Sequence, residues 1–273
     1  MMRDIEFLTQ KARQLRVDTL DMILKAGSGH VGGSYSIAEL LVALYYDKMN
    51  LGSGPDDPDR DRFVLSKGHA NPILYAVLMD KGYVSRDFKD TLRRYGSPFQ
   101  GHPDSTKCPG LDCSTGSLGQ GLSIATGMAL GFKKTGSKAK VYVITGDGEL
   151  QEGICWEAFM AASAFKLDNL TVIIDRNRLQ LSAPTEITNP LDSLENKLES
   201  FHFAVDSIDG HDFNQIFGAL DRTYEGKPHC IVANTVKGKG VSFMENGVKW
   251  HGALPAGDEI AAAYRELGVE YGK

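Results

Sequence analysis

The stretch Val141-Tyr142-Val143-Ile144-Thr145-Gly146-Asp147-Gly148-Glu149-Leu150-Gln151-Glu152-Gly153 decides the fold. Its first five residues are apolar or β-branched without interruption, the pattern of a strand buried on both faces. The run stops at Gly-Asp-Gly, and a helical pattern follows over 154–165. A second apolar run over 170–175 stops in Asp175-Arg176-Asn177-Arg178-Leu179. The intervening residues suffice for one right-handed βαβ crossover, which sets the two strand tips side by side on one edge. At such an edge glycine lets backbone N–H groups approach a phosphate. Asp147 and Asn177 add hard oxygens of the kind Mg²⁺ takes.

Outward from this pair, short apolar runs at 62–66, 203–208 and 230–235 are expected to be strands of the same sheet. Helices are expected over 4–26, from near Ser36 through Leu44, and over 70–81, 86–95, 118–133, 212–224 and 257–267. The first carries Leu8, Ala12, Leu15 and Ile23 close to a 3.6-residue period and stops at Ala26-Gly27-Ser28-Gly29. Asp212 with Gln215 reads as a capping box. This alternation implies an α/β fold with a doubly wound, mostly parallel sheet flanked by helices. We expect a single domain over 1–273 with a C-terminal extension from about 254. In such sheets the loops after the strands carry the chemistry.

The net charge of −5 gives no electrostatic case for nucleic acid or an anionic membrane, though local basic groups can still hold a phosphorylated substrate. No apolar run approaches the roughly 20 residues that span a bilayer, and the first residues lack the apolar core of a signal peptide. Cys108, Cys113, Cys155 and Cys230 are too few for a disulfide scaffold. Reduced thiols in a cytoplasmic protein are the better reading.

Four of the seven histidines stand in glycine-flanked loops: Gly29-His30-Val31-Gly32-Gly33, Gly68-His69-Ala70, Gly101-His102-Pro103 and Trp250-His251-Gly252. Imidazole donates to oxygen and moves protons near neutral pH, which suits a sugar phosphate or a diphosphate. His202, His211 and His229 read as structural, with His211 shaping a turn before a helix. Glu152 and Glu157 read as helix-surface acids.

Gly146-Asp147-Gly148 with Asp175-Arg176-Asn177 resembles the thiamine-diphosphate fingerprint. Ser28-Gly29-His30, Leu65-Ser66-Lys67-Gly68-His69, Gly101-His102-Pro103-Asp104, Thr115-Gly116-Ser117-Leu118-Gly119-Gln120-Gly121 and Trp250-His251-Gly252-Ala253 resemble transketolase segments, in that family's order. The resemblance covers nearly the whole chain. It implies a thiamine-diphosphate-binding fold and a transketolase that moves a ketol unit between sugar phosphates. It implies Mg²⁺ (or Ca²⁺ or Mn²⁺) on Asp147, Asn177 and the Leu179 carbonyl. His69, His251 and Gly148 would face the diphosphate, Lys237 would stand on the cofactor side, and Gly116, Ser117, Leu118 and Leu181 would face the cofactor rings. His30, His102 and His251 would act on the sugar. The family's Ile-Asp-Gly after the asparagine is here Leu181-Ser182-Ala183.

In the family a second α/β domain contacts the aminopyrimidine ring, and the residues after Pro255 are too few for one. The resemblance therefore implies a separate C-terminal subunit in an α₂β₂ assembly, with homodimers possible for the isolated chain. It also implies that Glu152 and Glu157 lie at a subunit interface. Three rival readings share the motifs: a split transketolase for an unusual ketose such as sulfofructose or a branched sugar phosphate, a deoxyxylulose-phosphate synthase, and a non-catalytic binding or regulatory subunit.

Overall fold

In the computed structural model, which describes residues 3–271, five strands form one sheet. They are β1 (Arg62–Leu65), β2 (Val141–Gly146), β3 (Leu170–Arg176), β4 (Ala204–Asp209) and β5 (His229–Asn234), in the order β1-β2-β3-β5-β4 and all parallel. Successive residues face opposite cores. Tyr142 and Ile144 of β2 point into one, Val141 and Val143 into the other, and β3 divides Ile173 from Val172 and Ile174 in the same way. Two buried faces explain the uninterrupted apolar runs.

The helices are α1 (Ile5–Ala26), α2 (Val31–Tyr35), α3 (Ala38–Ala43), α4 (Asn71–Asp80), α5 (Gln120–Thr135), α6 (Gly153–Ala164), α7 (Thr185–Thr188), α8 (Leu194–Ser200), α9 (Phe213–Leu220) and α10 (Asp258–Glu266). Residues of α1, α3, α4, α9 and α10 build the first core, and residues of α5, α6 and α8 the second. Asp4 caps α1 by accepting from the Phe7 N–H at 2.9 Å, and left-handed Gly27 closes it. The segment after residue 254 returns through α10 onto the first core, where Ala263 and Leu267 are buried and the Tyr264 hydroxyl donates to Asp21.

Four local expectations are corrected. The Gly32-Gly33 segment is helical rather than a loop, because its glycines serve close packing: a Cβ on Gly32 would sit 2.7 Å from the Trp250 carbonyl oxygen. The helix expected over 86–95 is a single 3₁₀ stretch, Arg86–Thr91, after which Arg93 turns left-handed with φ 62°. The helix expected over 212–224 ends at Leu220. Its capping box is not closed: Asp212 accepts from Asn214 N–H and from Gln215 Nε2, while the Gln215 side-chain Oε1 accepts from Asp209 N–H rather than from Asp212 N–H. The four cysteines are unpaired. Among the described residues no helix is long and apolar enough to cross a membrane.

Candidate active site

Strand register sets the site. Gly146 pairs with Asp175 across β2 and β3, and Asp175 pairs with Ala233 across β3 and β5, so three loops leave the sheet together. Asp147, 1% exposed, follows β2 directly. One of its carboxylate oxygens accepts from Gly148 N–H at 2.7 Å, and the other from Arg178 N–H at 2.6 Å and the Arg176 guanidinium at 3.2 Å. Arg178 holds φ 63° to aim that N–H, a strained conformation for a non-glycine residue. Burial, and then the neighbouring Asp175, push the Asp147 carboxyl up to about 6 despite Arg176.

Asp175 is wholly buried and ties four segments together. Its Oδ2 accepts from Lys67 Nζ at 2.6 Å, Ser36 Oγ at 2.8 Å and Asn177 Nδ2 at 2.9 Å, and its Oδ1 from the Thr235 hydroxyl. Burial opposes its charge, but Lys67 and the hydroxyls hold its carboxyl below the usual range. Asn177 therefore presents its amide with Nδ2 engaged and Oδ1 accepting from Leu179 N–H at 3.0 Å. Lys237 Nζ donates to the Leu179 carbonyl at 3.0 Å and lies 3.0 Å from His251 Nδ1. Burial first, and then Lys67, push that ammonium down to about 8.

Three imidazoles converge beside this loop. The ring centroids of His30, His69 and His251 lie 5.1, 5.2 and 5.3 Å apart. Burial, and then Arg93, lower His30 to about 4, while burial and Lys237 lower His251 to about 3. His69 is lowered for the same first reason, with Lys67 next. At neutral pH all three are uncharged and can both donate and accept. Arg93 Nη2 approaches His30 Nδ1 at 3.4 Å, and its buried Nε has no partner among the described residues.

A cavity of about 310 Å³ opens between these groups. Nine of the candidate residues line it: His69, Leu118, Asp147, Gly148, Asn177, Leu179, Leu181, Lys237 and His251. His30 joins through its ring contacts with His69 and His251. His102, Gly116 and Ser117 stand outside the lining. His102 and Ser117 are exposed, and the His102 ring lies against Gly116, where a Cβ would come within 3.1 Å of it at a φ of 154°. Sequence reasoning missed Lys67, Glu149, Asp175 and Gln180. Lys67 and Asp175 stand inside the recognisable motifs, but nothing in the spacing pairs them. Glu149 binds loop to loop, accepting from Ser66 Oγ at 2.5 Å, Gly119 N–H at 2.8 Å and Gly146 N–H at 2.9 Å.

A family model described as "Transketolase, thiamine diphosphate binding domain" matches residues 8–273. One subunit of an apulose-4-phosphate transketolase from Phocaeicola vulgatus is 42% identical over 267 residues, covering 96% of this chain and 94% of the relative. A 6-deoxy-6-sulfo-D-fructose transketolase subunit from a Clostridium species is 44% identical over 266 residues, covering 96% and 97%. The crystal structure of transketolase from Campylobacter jejuni superposes with a TM-score of 0.91 at 35% identity, and the match covers 98% of this chain but 44% of that one.

Proposed function

The chain belongs to the transketolase family through its thiamine diphosphate binding domain, and from that premise we propose that it is the N-terminal subunit of a two-subunit transketolase. It transfers a two-carbon ketol unit from a ketose phosphate to an aldose phosphate. The observation that carries this reading is the convergence of Asp147, Asn177 and the Leu179 carbonyl on one cavity with Lys237 and two of the three clustered imidazoles. We treat residues 1–273 as a single domain that grips the cofactor's diphosphate.

The residues fit a divalent cation and a diphosphate. Asp147 is a buried carboxylate without sufficient countercharge. Gln180 Oε1 is a buried acceptor with no partner among the described residues. A Cβ at Gly148 would press on Gln180 at 3.1 Å, so glycine keeps the cradle open. Among the described residues no three His, Cys, Asp or Glu side chains group as metal ligands. The cation would thus rest on one carboxylate, one amide and one carbonyl, with diphosphate and water completing the shell. Mg²⁺ is the natural occupant, with Ca²⁺ or Mn²⁺ as substitutes.

Bound thiamine diphosphate supplies the electron sink for breaking a ketose carbon–carbon bond. The chain's own groups bind and orient. Lys237, His69 and His251 would hold the diphosphate, with Gly148 N–H, which donates to Asp147, beside it; Leu118 and Leu181 would border the rings, with Gly116 and Ser117 reaching them from outside the cavity lining. His30, His102 and His251 hold sugar hydroxyls and carry protons at their ring nitrogens.

The relatives named as subunits match over nearly their full lengths, which supports a separate C-terminal subunit, expected as α₂β₂. Leu181 at the cavity and Ile187 in α7 are 70% and 78% exposed, and Met160 of α6 is 60% exposed near Glu157. Exposed apolar side chains such as these suit a protein partner. The unpaired thiols suit the cytoplasm.

Xylulose 5-phosphate with ribose 5-phosphate is the first pair to assay. The names of the two relatives favour a second reading, in which the ketose is branched or sulfonated. The test is ketol transfer by the chain with and without its complementary subunit, using both kinds of ketose. Transfer only with the partner supports the proposal; full turnover by the chain alone contradicts it.

A further inference from the structure

Arg16, Glu39 and His211 form a hydrogen-bonded chain ending on the loop that carries Lys237. Arg16 grips Glu39 through two bonds of 2.7 Å. Glu39 Oε2 lies 2.9 Å from His211 Nδ1, and His211 Nε2 lies 2.9 Å from the Val236 backbone nitrogen. A backbone N–H only donates, so Nε2 accepts and the ring proton sits on Nδ1, donating to the carboxylate. Arg16 also donates to the Tyr35 carbonyl at 2.9 Å, and the Tyr35 hydroxyl donates to the Arg16 carbonyl at 3.0 Å, anchoring the chain in the core. Burial opposes the Glu39 charge, but Arg16 and then His211 hold its carboxyl down to about 2. His211 thus does more than shape the turn before α9.

We propose that His211 is a positioning residue for Lys237. Its Nε2 fixes the Val236 amide, and with it the backbone from which the Lys237 side chain enters the diphosphate cavity. This rests on the reading of that cavity as the cofactor site. The loop is also tied by the Thr235 hydroxyl on Asp175, Thr235 N–H on the Arg176 carbonyl at 3.3 Å, Asn246 N–H on the Lys237 carbonyl at 2.9 Å and Gly238 N–H on the Gly32 carbonyl at 3.1 Å. The Val236 bond stands between them. Lys237 is 2% exposed, so solvent cannot compensate a misplaced ammonium.

Two substitutions separate the two ends of the ring. In His211→Gln the side-chain oxygen can replace Nε2 and keep the Val236 bond. In His211→Asn the amide nitrogen can replace Nδ1 and keep the Glu39 bond while the Val236 N–H loses its acceptor. Thiamine diphosphate with Mg²⁺ is titrated calorimetrically into the chain assembled with its complementary subunit, and melting is recorded alongside. His211→Asn is expected to raise Kd about tenfold, the effect of one buried donor left unsatisfied. His211→Gln is expected to stay near the wild type. Equal affinity of the Asn variant and the wild type, or equal losses in both variants, overturns the proposal. Failure of the wild type itself to bind overturns instead the cofactor reading beneath it. Amide exchange at Val236 in the wild-type chain needs no variant to fold: slow exchange is expected, and exchange at the rate of an open loop overturns the proposal.

Discussion

The ammonium of Lys237 lies 3.0 Å from the carbonyl oxygen of Leu179, so a lysine occupies an oxygen that the proposed Mg²⁺ would need. That ammonium partly offsets Asp147 and Asp175, both of which act on it. A metal on the Leu179 carbonyl would compete with that lysine for the oxygen. Lys237→Met is therefore expected to weaken thiamine diphosphate about tenfold or more, the scale of one charge-assisted hydrogen bond. Its Mg²⁺ requirement should not increase. Calorimetry at fixed cofactor and varied Mg²⁺ checks both, and a greater metal requirement would count against the competition.

Asp147 carries a charge that its burial disfavours. Burial raises its carboxyl from the usual value to about 6, so its charge at neutral pH opposes folding by roughly 3 kcal/mol. Asp147→Asn should remove Mg²⁺-dependent cofactor binding yet melt no lower than the wild type in the absence of metal. A large drop in melting temperature would show that the carboxylate serves the fold instead.

Asp175 and Lys67 have the opposite character. They form a fully buried pair at 2.6 Å, and removing one partner leaves an uncompensated charge. Asp175→Ala should lose roughly 3–5 kcal/mol of stability in denaturant titrations, while the double variant Lys67→Met, Asp175→Ala should lose less. A double variant as unstable as the sum of the singles would remove the coupling.

The pair Asp147 and Asn177 was legible because two buried strands, one crossover and two strand tips follow from chain length and handedness alone. The hub on Asp175 was not, since Ser36, Lys67 and Thr235 reach it from three distant segments and no spacing encodes such contacts. Gly32 and Gly33 misled in another way. Glycine reads as a breaker, yet here it lets a helix pass close to the Trp250 carbonyl and the Lys237 side chain. Arg93 lay within the helix expected over 86–95, and its left-handed backbone, which sets its guanidinium beside His30, has no local signature. His211 resembled any residue before a helix until the fold placed Glu39 and Val236 on its two nitrogens.

His30 should titrate far below an ordinary imidazole. Burial, and next the Arg93 charge, disfavour its protonated form and bring it to about 4. The folded chain therefore binds fewer protons there than the unfolded one between the ordinary value and about 4, so this group's contribution to stability falls as pH drops through that window. Arg93→Met removes a positive neighbour and should raise the His30 titration midpoint. Nitrogen-15 NMR of the ring reads it directly, and an unmoved midpoint would exclude Arg93 as a cause.

The convergence of two strand tips on one cation is tested most directly by anomalous scattering from crystals of the assembled enzyme with thiamine diphosphate and Mn²⁺ in place of Mg²⁺. The expected result is a single manganese peak about 2.2 Å from the Asp147 carboxylate, the Asn177 amide oxygen and the Leu179 carbonyl, the contact range of hard oxygen ligands. Bound cofactor with the metal elsewhere, or with Asn177 turned away from it, would contradict the account.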